Sequence, residues 1–297
     1  MTVITLARQV GSGGQTVATT LSQRLGLRVI GREELSEEAS KQGLSLPQSF
    51  VRFASEDTSG AGMDHYLSYG ELEFDLALRG GALLTETHQD TGFLTEISAH
   101  SRDILLTLQV LIYDLAAHDN VLFVGAGAQI LLAEIPQVLR VKIIAPVATR
   151  IERMTSAYSL SMEEARATVL AGDQEQIDYN RVVFGEDWHN AELWDIVINS
   201  DMLSVDQIVD LIASLSRPAP EIASVSTHLS RAAAINRAML ETTSLGKTNA
   251  YAMPTPDGIV IRGEVPNDDV RRELIEIATS ASGESPVIDK LELLALL

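Results

Sequence analysis

The sequence predicts an α/β protein in two parts: a three-layer domain built on a parallel sheet, then a small αββαβ unit. Two observations carry this. Continuous apolar runs, among them "VITL", "VLFV" and "VKIIA", read as strands buried on both faces and alternate with amphipathic helices. After the proline-rich stretch "RPAPE", Arg217 to Glu221, that alternation gives way to a helix, two adjoining strands, a helix and a strand.

The elements follow in order. Val3 to Leu6 is a buried strand, and Thr16 to Leu25 a helix with Val17, Leu21 and Leu25 on one face and Gly26 as its C-cap. "LRVIG" is a short second strand and "REELSEEASKQG" a helix. Residues 43–100 are dense in turn-formers and are expected to be a mobile helical insertion. From Ser101 come a helix, the strand and glycine turn of "NVLFVGAGAQILL", the strand "LRVKIIAP", and a mostly helical, charged stretch over 150–190. "WDIVINS" is the last strand of the domain, and a helix capped by Ser204 closes it. The expected boundaries are 1–216 for the first domain, 217–224 for a linker and 225–297 for the second. In that second part a helix from Val225 to Glu241 precedes the strands "KTNAYAM" and "GIVIRGEV", a helix capped by Asn267, and the strand "PVIDKLELL".

Composition excludes several classes. A net charge of −19 opposes a non-specific grip on DNA or RNA, whose phosphates need a basic surface. With no cysteine there is neither a disulfide nor a thiolate metal site, and six histidines without His-x3-His or HExxH spacing make no zinc centre. No apolar run approaches the ~20 residues of a membrane span, and the amino end has no secretory pattern. A cytoplasmic location is expected, without a membrane or a nucleic acid as partner.

The stretch "ARQVGSGGQT" joins a buried strand to a helix through three glycines in four residues. Such a loop can curl its backbone N–H groups around a phosphate, with a lysine neutralising charge and a hydroxyl on Mg²⁺. With Gly11 and Gly13 as the inner glycines, Gly14 occupies the lysine position and Gln15 the hydroxyl position; shifted by one, these are Gln15 and Thr16. Neither register supplies the cation. A glycine-rich turn also serves close packing alone, so both readings stand at this point.

Five segments, "ITLARQVGSGGQTVATTLSQRLG", "VLFVGAGAQILL", "VKIIAPVATRIERM", "EEARATVLAGDQEQIDYNRVVFGEDW" and "WDIVINSDMLSVDQIVDLI", together resemble the cytidylate kinase-like family of P-loop proteins over roughly residues 1–215. The resemblance implies a P-loop fold, a nucleoside-monophosphate-binding region within 43–100, an arginine-bearing lid over 150–190, and ATP with Mg²⁺. The phosphate-binding candidates are Arg8, Gly11, Ser12, Gly13, Gly14, Gln15, Thr16 and Arg32, with Thr16 near the metal, and the catalytic candidates are Arg150, Arg153 and Asp173; Arg8 is read from its place, since a charged residue ending a buried strand beside a glycine loop needs an anion or a carboxylate partner. For Arg150 and Arg153 the other reading is a solvated helix face paired with Glu152 or Glu163. Phosphoryl transfer depends on positive charge around the moving group. Where the family carries cations this chain has Gly14-Gln15, Ala126 after Gly125, and Gln176 after Asp173, and Gly31 replaces an acidic residue ahead of Arg32. The expectation is a pseudokinase that binds a nucleotide of ATP or CMP type with weak or no transfer; the alternatives are an active nucleoside monophosphate kinase and a structural oligomer subunit.

Arg181 follows the lid as a further cation, and Trp188 is expected to pack the lid's base. The carboxylates Asp64, Glu71, Glu73 and Asp75 read as a solvated acidic helix, with metal-assisted nucleotide sensing as the alternative. The segment "DGIVIRGEVPNDDVRRELIEIATSASGESPVIDKLEL" resembles the BON domain through Asp257-Gly258, Gly263 and Gly283, which implies a protein partner or self-association through this part.

Overall fold

The computed structural model of the chain describes residues 2–47, 50, 92–118, 120–216, 223–242 and 248–294. Residues 51–91 of the expected insertion, with Asp64, Glu71, Glu73 and Asp75, and residues 217–222 of the expected linker lie outside the described residues.

The first part contains β1 (Val3–Arg8), α1 (Gly14–Leu25), β2 (Arg28–Ile30), α2 (Arg32–Lys41), α3 (Gly92–His118), β3 (Val121–Val124), α4 (Ala128–Leu131), β4 (Val138–Ile144), α5 (Val147–Tyr158), α6 (Met162–Tyr179), β5 (Ile196–Asn199) and α7 (Val205–Leu215). Its five strands form one sheet in the order β2-β3-β1-β4-β5, every pairing parallel. Parallel strands need a covered surface on both sides, and the alternation within β1 provides it. Ile4 and Leu6 face a cluster with Val17, Ala18 and Leu21 of α1 and Ile208, Val209 and Ile212 of α7. Val3 joins the opposite cluster, with Phe123 and with Leu108, Leu111 and Ile112 of α3. Each such aliphatic side chain contributes about 2 kcal/mol on burial, so this three-layer core fixes where the strand ends lie.

The strand ends position the loops. β1 is central, with Leu6 level with Val124 of β3 and Val141 of β4, so the loops after β1 and β3 emerge side by side at the carboxyl edge. In open α/β sheets that edge is where ligands bind. The expected N-caps are present: Ser204 Oγ accepts from Gln207 N at 3.2 Å, and Asn267 Oδ1 from Val270 N at 2.9 Å.

The second part runs α8 (Ala223–Glu241), β6 (Tyr251–Thr255), β7 (Gly258–Val265), α9 (Asp268–Ser282) and β8 (Val287–Leu293), the expected αββαβ order. Its separate sheet is mixed: β6 and β7 pair antiparallel, β7 and β8 parallel. Asn236, fully buried on α8, ties helix to sheet by donating to Ala252 O at 2.8 Å and accepting from Ala252 N at 2.7 Å. This unit packs directly onto the first. Leu229, Ala232, Ile235 and Met239 of α8 belong to the same buried cluster as Leu108 and Leu111 of α3. Polar contacts cross the same seam: Ser226 Oγ donates to Ala117 O at 2.6 Å, Arg102 Nε to Thr248 O at 2.7 Å, and Arg237 Nη1 to Gln42 O at 3.2 Å, at the carboxyl end of α2. Among the described residues no helix is long and apolar enough to cross a membrane.

Candidate functional site

The loop between β1 and α1 is set by its glycines. Gly11 and Gly13 have φ of +74° and +78°, values that a side chain makes costly, and α1 opens at Gly14. Gly11 is also pressed against α5, where a Cβ would stand 2.8 Å from Arg150 O. The helix begins without a capping side chain, since Gly13 at the N-cap has none and its first turn holds no acidic residue. A helix start without a side-chain cap is the arrangement that can receive an anion. Gly11 and Gly13 in the left-handed region, with Gly14 helical, fit the first of the two sequence registers. Gly14 is then at the lysine position and Gln15 at the hydroxyl position, with Thr16 one residue beyond.

Arg8 accounts for the empty lysine position. A Cβ on Gly14 would lie 2.5 Å from Arg8 Cβ and 3.3 Å from its Cδ, so the arginine side chain runs across the first turn of α1. Its tip reaches the turn after β3, where a Cβ on Gly125 would be 3.7 Å from Nη1. In that turn Gly125, Ala126 and Gly127 all have positive φ, of 75°, 58° and 78°. For Ala126 this is an unusual conformation. Gly127 leaves room for Phe184, whose Cζ would meet a Cβ there at 2.1 Å, and Tyr179 Oη donates to Ala126 O at 3.4 Å.

The candidate lid arginines are engaged with the protein itself. Arg150 is 1% exposed, which corrects the reading of a solvated face paired with Glu152 or Glu163. Its place on α5 turns it inward: Nε donates to Ala145 O at 3.0 Å, Nη1 to Val10 O at 3.3 Å and to Asp173 Oδ1 at 3.0 Å, and Nη2 to Asp173 Oδ2 at 2.7 Å. Arg153, one turn on, also departs from the solvated-face reading. It donates through Nη1 to Ser12 O at 3.0 Å and Ser200 Oγ at 2.9 Å, and through Nη2 to Ser200 O at 2.8 Å. Ser12 is fully buried, and its Oγ has no hydrogen-bond partner among the described residues.

Arg32, at the start of α2, lies between two rings, with Cζ 4.6 Å from the Phe50 centroid and 4.2 Å from that of Tyr179, and Nη1 donates to Phe50 O at 3.0 Å. Burial pushes the Tyr179 hydroxyl up to about 12. Gly31 caps α2 through its amide, which donates to Glu34 Oε2 at 2.8 Å. Arg181 sits in the π-helical turn Asn180–Phe184 that ends α6 and donates to Asp178 Oδ1 at 2.6 Å. Gln176 lies on α6, where its carbonyl accepts from Asn180 Nδ2 at 2.7 Å.

One charged residue of this region was missed in the sequence reading. Lys142, 6% exposed on β4, donates to Trp188 O at 2.7 Å and lies 4.1 Å and 5.1 Å from the ring centroids of Trp188 and Trp194. The two tryptophans meet edge-on at 5.2 Å, in a small buried cluster with Ala7 and Leu193. Burial holds the Lys142 ammonium down at about 8, against the opposing pull of Asp187 and Asp173. Its signal was a lysine inside the otherwise apolar run "VKIIA". Among the described residues no three His, Cys, Asp or Glu side chains cluster as a metal site.

Residues 3–202 match the sequence model of the cytidylate kinase-like family, two thirds of the chain and the whole of the site. The chain belongs to the cytidylate kinase-like family. A cytidylate kinase of Methanothermobacter thermautotrophicus is 23% identical over 206 residues, covering 69% of this chain and 98% of that protein. A cytidylate kinase of Ignicoccus hospitalis is 24% identical over 212 residues, covering 71% and 97%. Among solved structures, an uncharacterized protein from Eubacterium ventriosum matches with 16% identity and a TM-score of 0.46, over 74% of this chain and all of that one. The family match ends before α7, so the αββαβ unit lies beyond it.

Proposed function

We propose that this member of the cytidylate kinase-like family binds the phosphates of a nucleotide in the glycine loop and transfers a phosphoryl group weakly or not at all. One observation carries the binding half. The carbonyls of Val10 and Ser12 are held from the α5 side by Arg150 and Arg153. In a trans peptide the following N–H points the opposite way, so the amides of Gly11 and Gly13 are directed away from α5, alongside the uncapped start of α1. Arg8, laid across that start, supplies positive charge in place of a side chain at position 14.

The impaired-transfer half is supported by what surrounds the loop among the described residues. Arg150 and Arg153 serve as positioning residues for the loop, Asp173 serves to hold Arg150, and Arg32 is stacked at the side of the site. Gly14, Ala126 and Gln176 bring no charge. Loss of a single arginine that stabilises the transferring phosphate costs about 10³ to 10⁵ in rate. Magnesium would arrive with the nucleotide's phosphates and neutralise their charge, with the hydroxyl of Thr16 and the amide oxygen of Gln15 as side-chain oxygens at the start of α1 that could assist it. The αββαβ unit is proposed to be BON-like and to carry a protein contact, supported by its element order and by positive φ at Gly258, Gly263 and Gly283.

A second reading, an active nucleoside monophosphate kinase, is favoured by the names of both relatives and by the position of Arg8. Calorimetric titration with ADP, ATP and CMP, with and without Mg²⁺, tests the binding half. Heat of binding that weakens about tenfold in Arg8→Met supports it; affinity unchanged in that variant, or no binding at all, contradicts it.

A further inference from the structure

We infer that the outer edge of β8 is a docking edge for a second copy of this chain, and that the Asp289 carboxylate limits access to it. The inference rests on the reading that the αββαβ unit carries a protein contact, and it names the strand and the partner. Among the described residues β8 is the last strand of its sheet, in the order β6-β7-β8. Ile259 N donates to Pro286 O at 2.8 Å and Leu294 N to Val265 O at 2.9 Å, which fixes the parallel ladder. The even-numbered residues of β8 therefore turn their backbone groups to β7, and those of Val287, Asp289, Leu291 and Leu293 point outward, where a further strand can add. The end of this edge is apolar and open, with Leu293 49% and Leu294 43% exposed.

Charge selects the occupant and the register. Antiparallel pairing of β8 with its own copy about a two-fold axis at Leu291 sets Lys290 opposite Glu292 of the partner subunit, and Glu292 opposite Lys290 of the partner subunit. Both side chains are exposed and share one face of the sheet, where Ile288 then meets Leu294 of the partner subunit. Moving the axis to Lys290 or to Glu292 would set like charges opposite each other, so the match holds for the register at Leu291. In a chain of net charge −19 most pairs of surfaces repel, and self-docking needs such a local match.

Asp289 stands in the way of that pairing. Its Oδ1 accepts from Leu291 N at 2.9 Å, the outward amide on the axis, and its Oδ2 accepts from Arg271 Nε of α9 at 2.8 Å. The central pair of bonds between the two strands forms only when the carboxylate turns away from the Leu291 amide. A charged side chain folded over an edge in this manner is one of the ways in which sheets restrain pairing.

The test is analytical ultracentrifugation of the full chain up to about 200 µM, with circular dichroism to show that each variant is folded. Asp289→Ala should tighten the dimer at least ~tenfold relative to the parent. In that background Lys290→Glu and Glu292→Lys should each weaken it ~tenfold or more, because like charges then face each other, and combining both exchanges in one chain should restore it. Mixing the Lys290→Glu chain with the Glu292→Lys chain should likewise give a mixed dimer. A dimer indifferent to either charge exchange, or one that Asp289→Ala does not tighten, overturns the assignment to β8 and leaves the broader reading of a protein contact standing. A monomer throughout, in the parent and in Asp289→Ala, overturns self-docking by this unit altogether.

Discussion

Arg150 and Asp173 face each other across the α5–α6 hairpin in a two-pronged ion pair, Nη1 to Oδ1 at 3.0 Å and Nη2 to Oδ2 at 2.7 Å, while the same guanidinium holds the carbonyl of Val10. One side chain thus joins α5 and α6 to the glycine loop. The loop is thereby tied to a carboxylate that lies outside it in sequence.

Removing that carboxylate's charge should be costly. Asp173→Asn leaves the Arg150 guanidinium, 1% exposed, without its counter-charge, and is expected to destabilise the chain by about 3 kcal/mol in urea unfolding. Phosphate affinity should fall with it, because the loop loses its support from α5. An unfolding midpoint equal to the parent's would show that the pair contributes nothing net.

The space at position 14 is taken by Arg8. Gly14→Lys, which restores the lysine of a phosphate loop in name, is expected to cost about 1–3 kcal/mol by overpacking. Adding Arg8→Gly should return most of it. A double-mutant cycle checks this; purely additive effects would mean that the two side chains do not compete for one place.

Lys142 gives a pH signature. Its folded value of about 8 lies below its ordinary 10.5, so between those values the unfolded chain binds more protons and stability rises with pH. The contribution is fully present above pH 10.5 and is lost as pH falls through 8. Lys142→Met should remove that slope. The chain has two tryptophans, both beside this ammonium, so their emission should titrate near pH 8 in the parent and not in the variant.

The two units are expected to lose stability together at Asn236. Asn236→Ala strands the buried N–H and C=O of Ala252 and should cost about 2–3 kcal/mol, read as one cooperative transition by both tryptophan emission and circular dichroism. A two-step unfolding curve would show that the shared layer of α3 and α8 does not couple them.

Legibility in the sequence followed the range of the interactions. The strands, the helix caps at Ser204 and Asn267 and the glycine loop were readable because apolar period, cap chemistry and positive-φ turns are written locally. The partners of Arg150 and Arg153 were not: Asp173 lies 23 residues from Arg150 and Ser200 lies 47 from Arg153, and only the packing of α5 against α6 and β5 brings them together. The same limit hid the contact of α8 with α3, because an amphipathic helix shows that it has a buried face and says nothing of what covers it. Lys142 was legible as an anomaly, a lysine in an apolar strand, but its tryptophan partners were not.

The most direct test is the steady-state rate of CDP formation from CMP and MgATP, measured on a sample whose ADP binding has been established calorimetrically. The account predicts binding together with turnover at least ~10³-fold slower than that of a fully armed kinase assayed alongside it. Turnover within about tenfold of that kinase would contradict it, since it would require transition-state charge from residues placed here in structural roles.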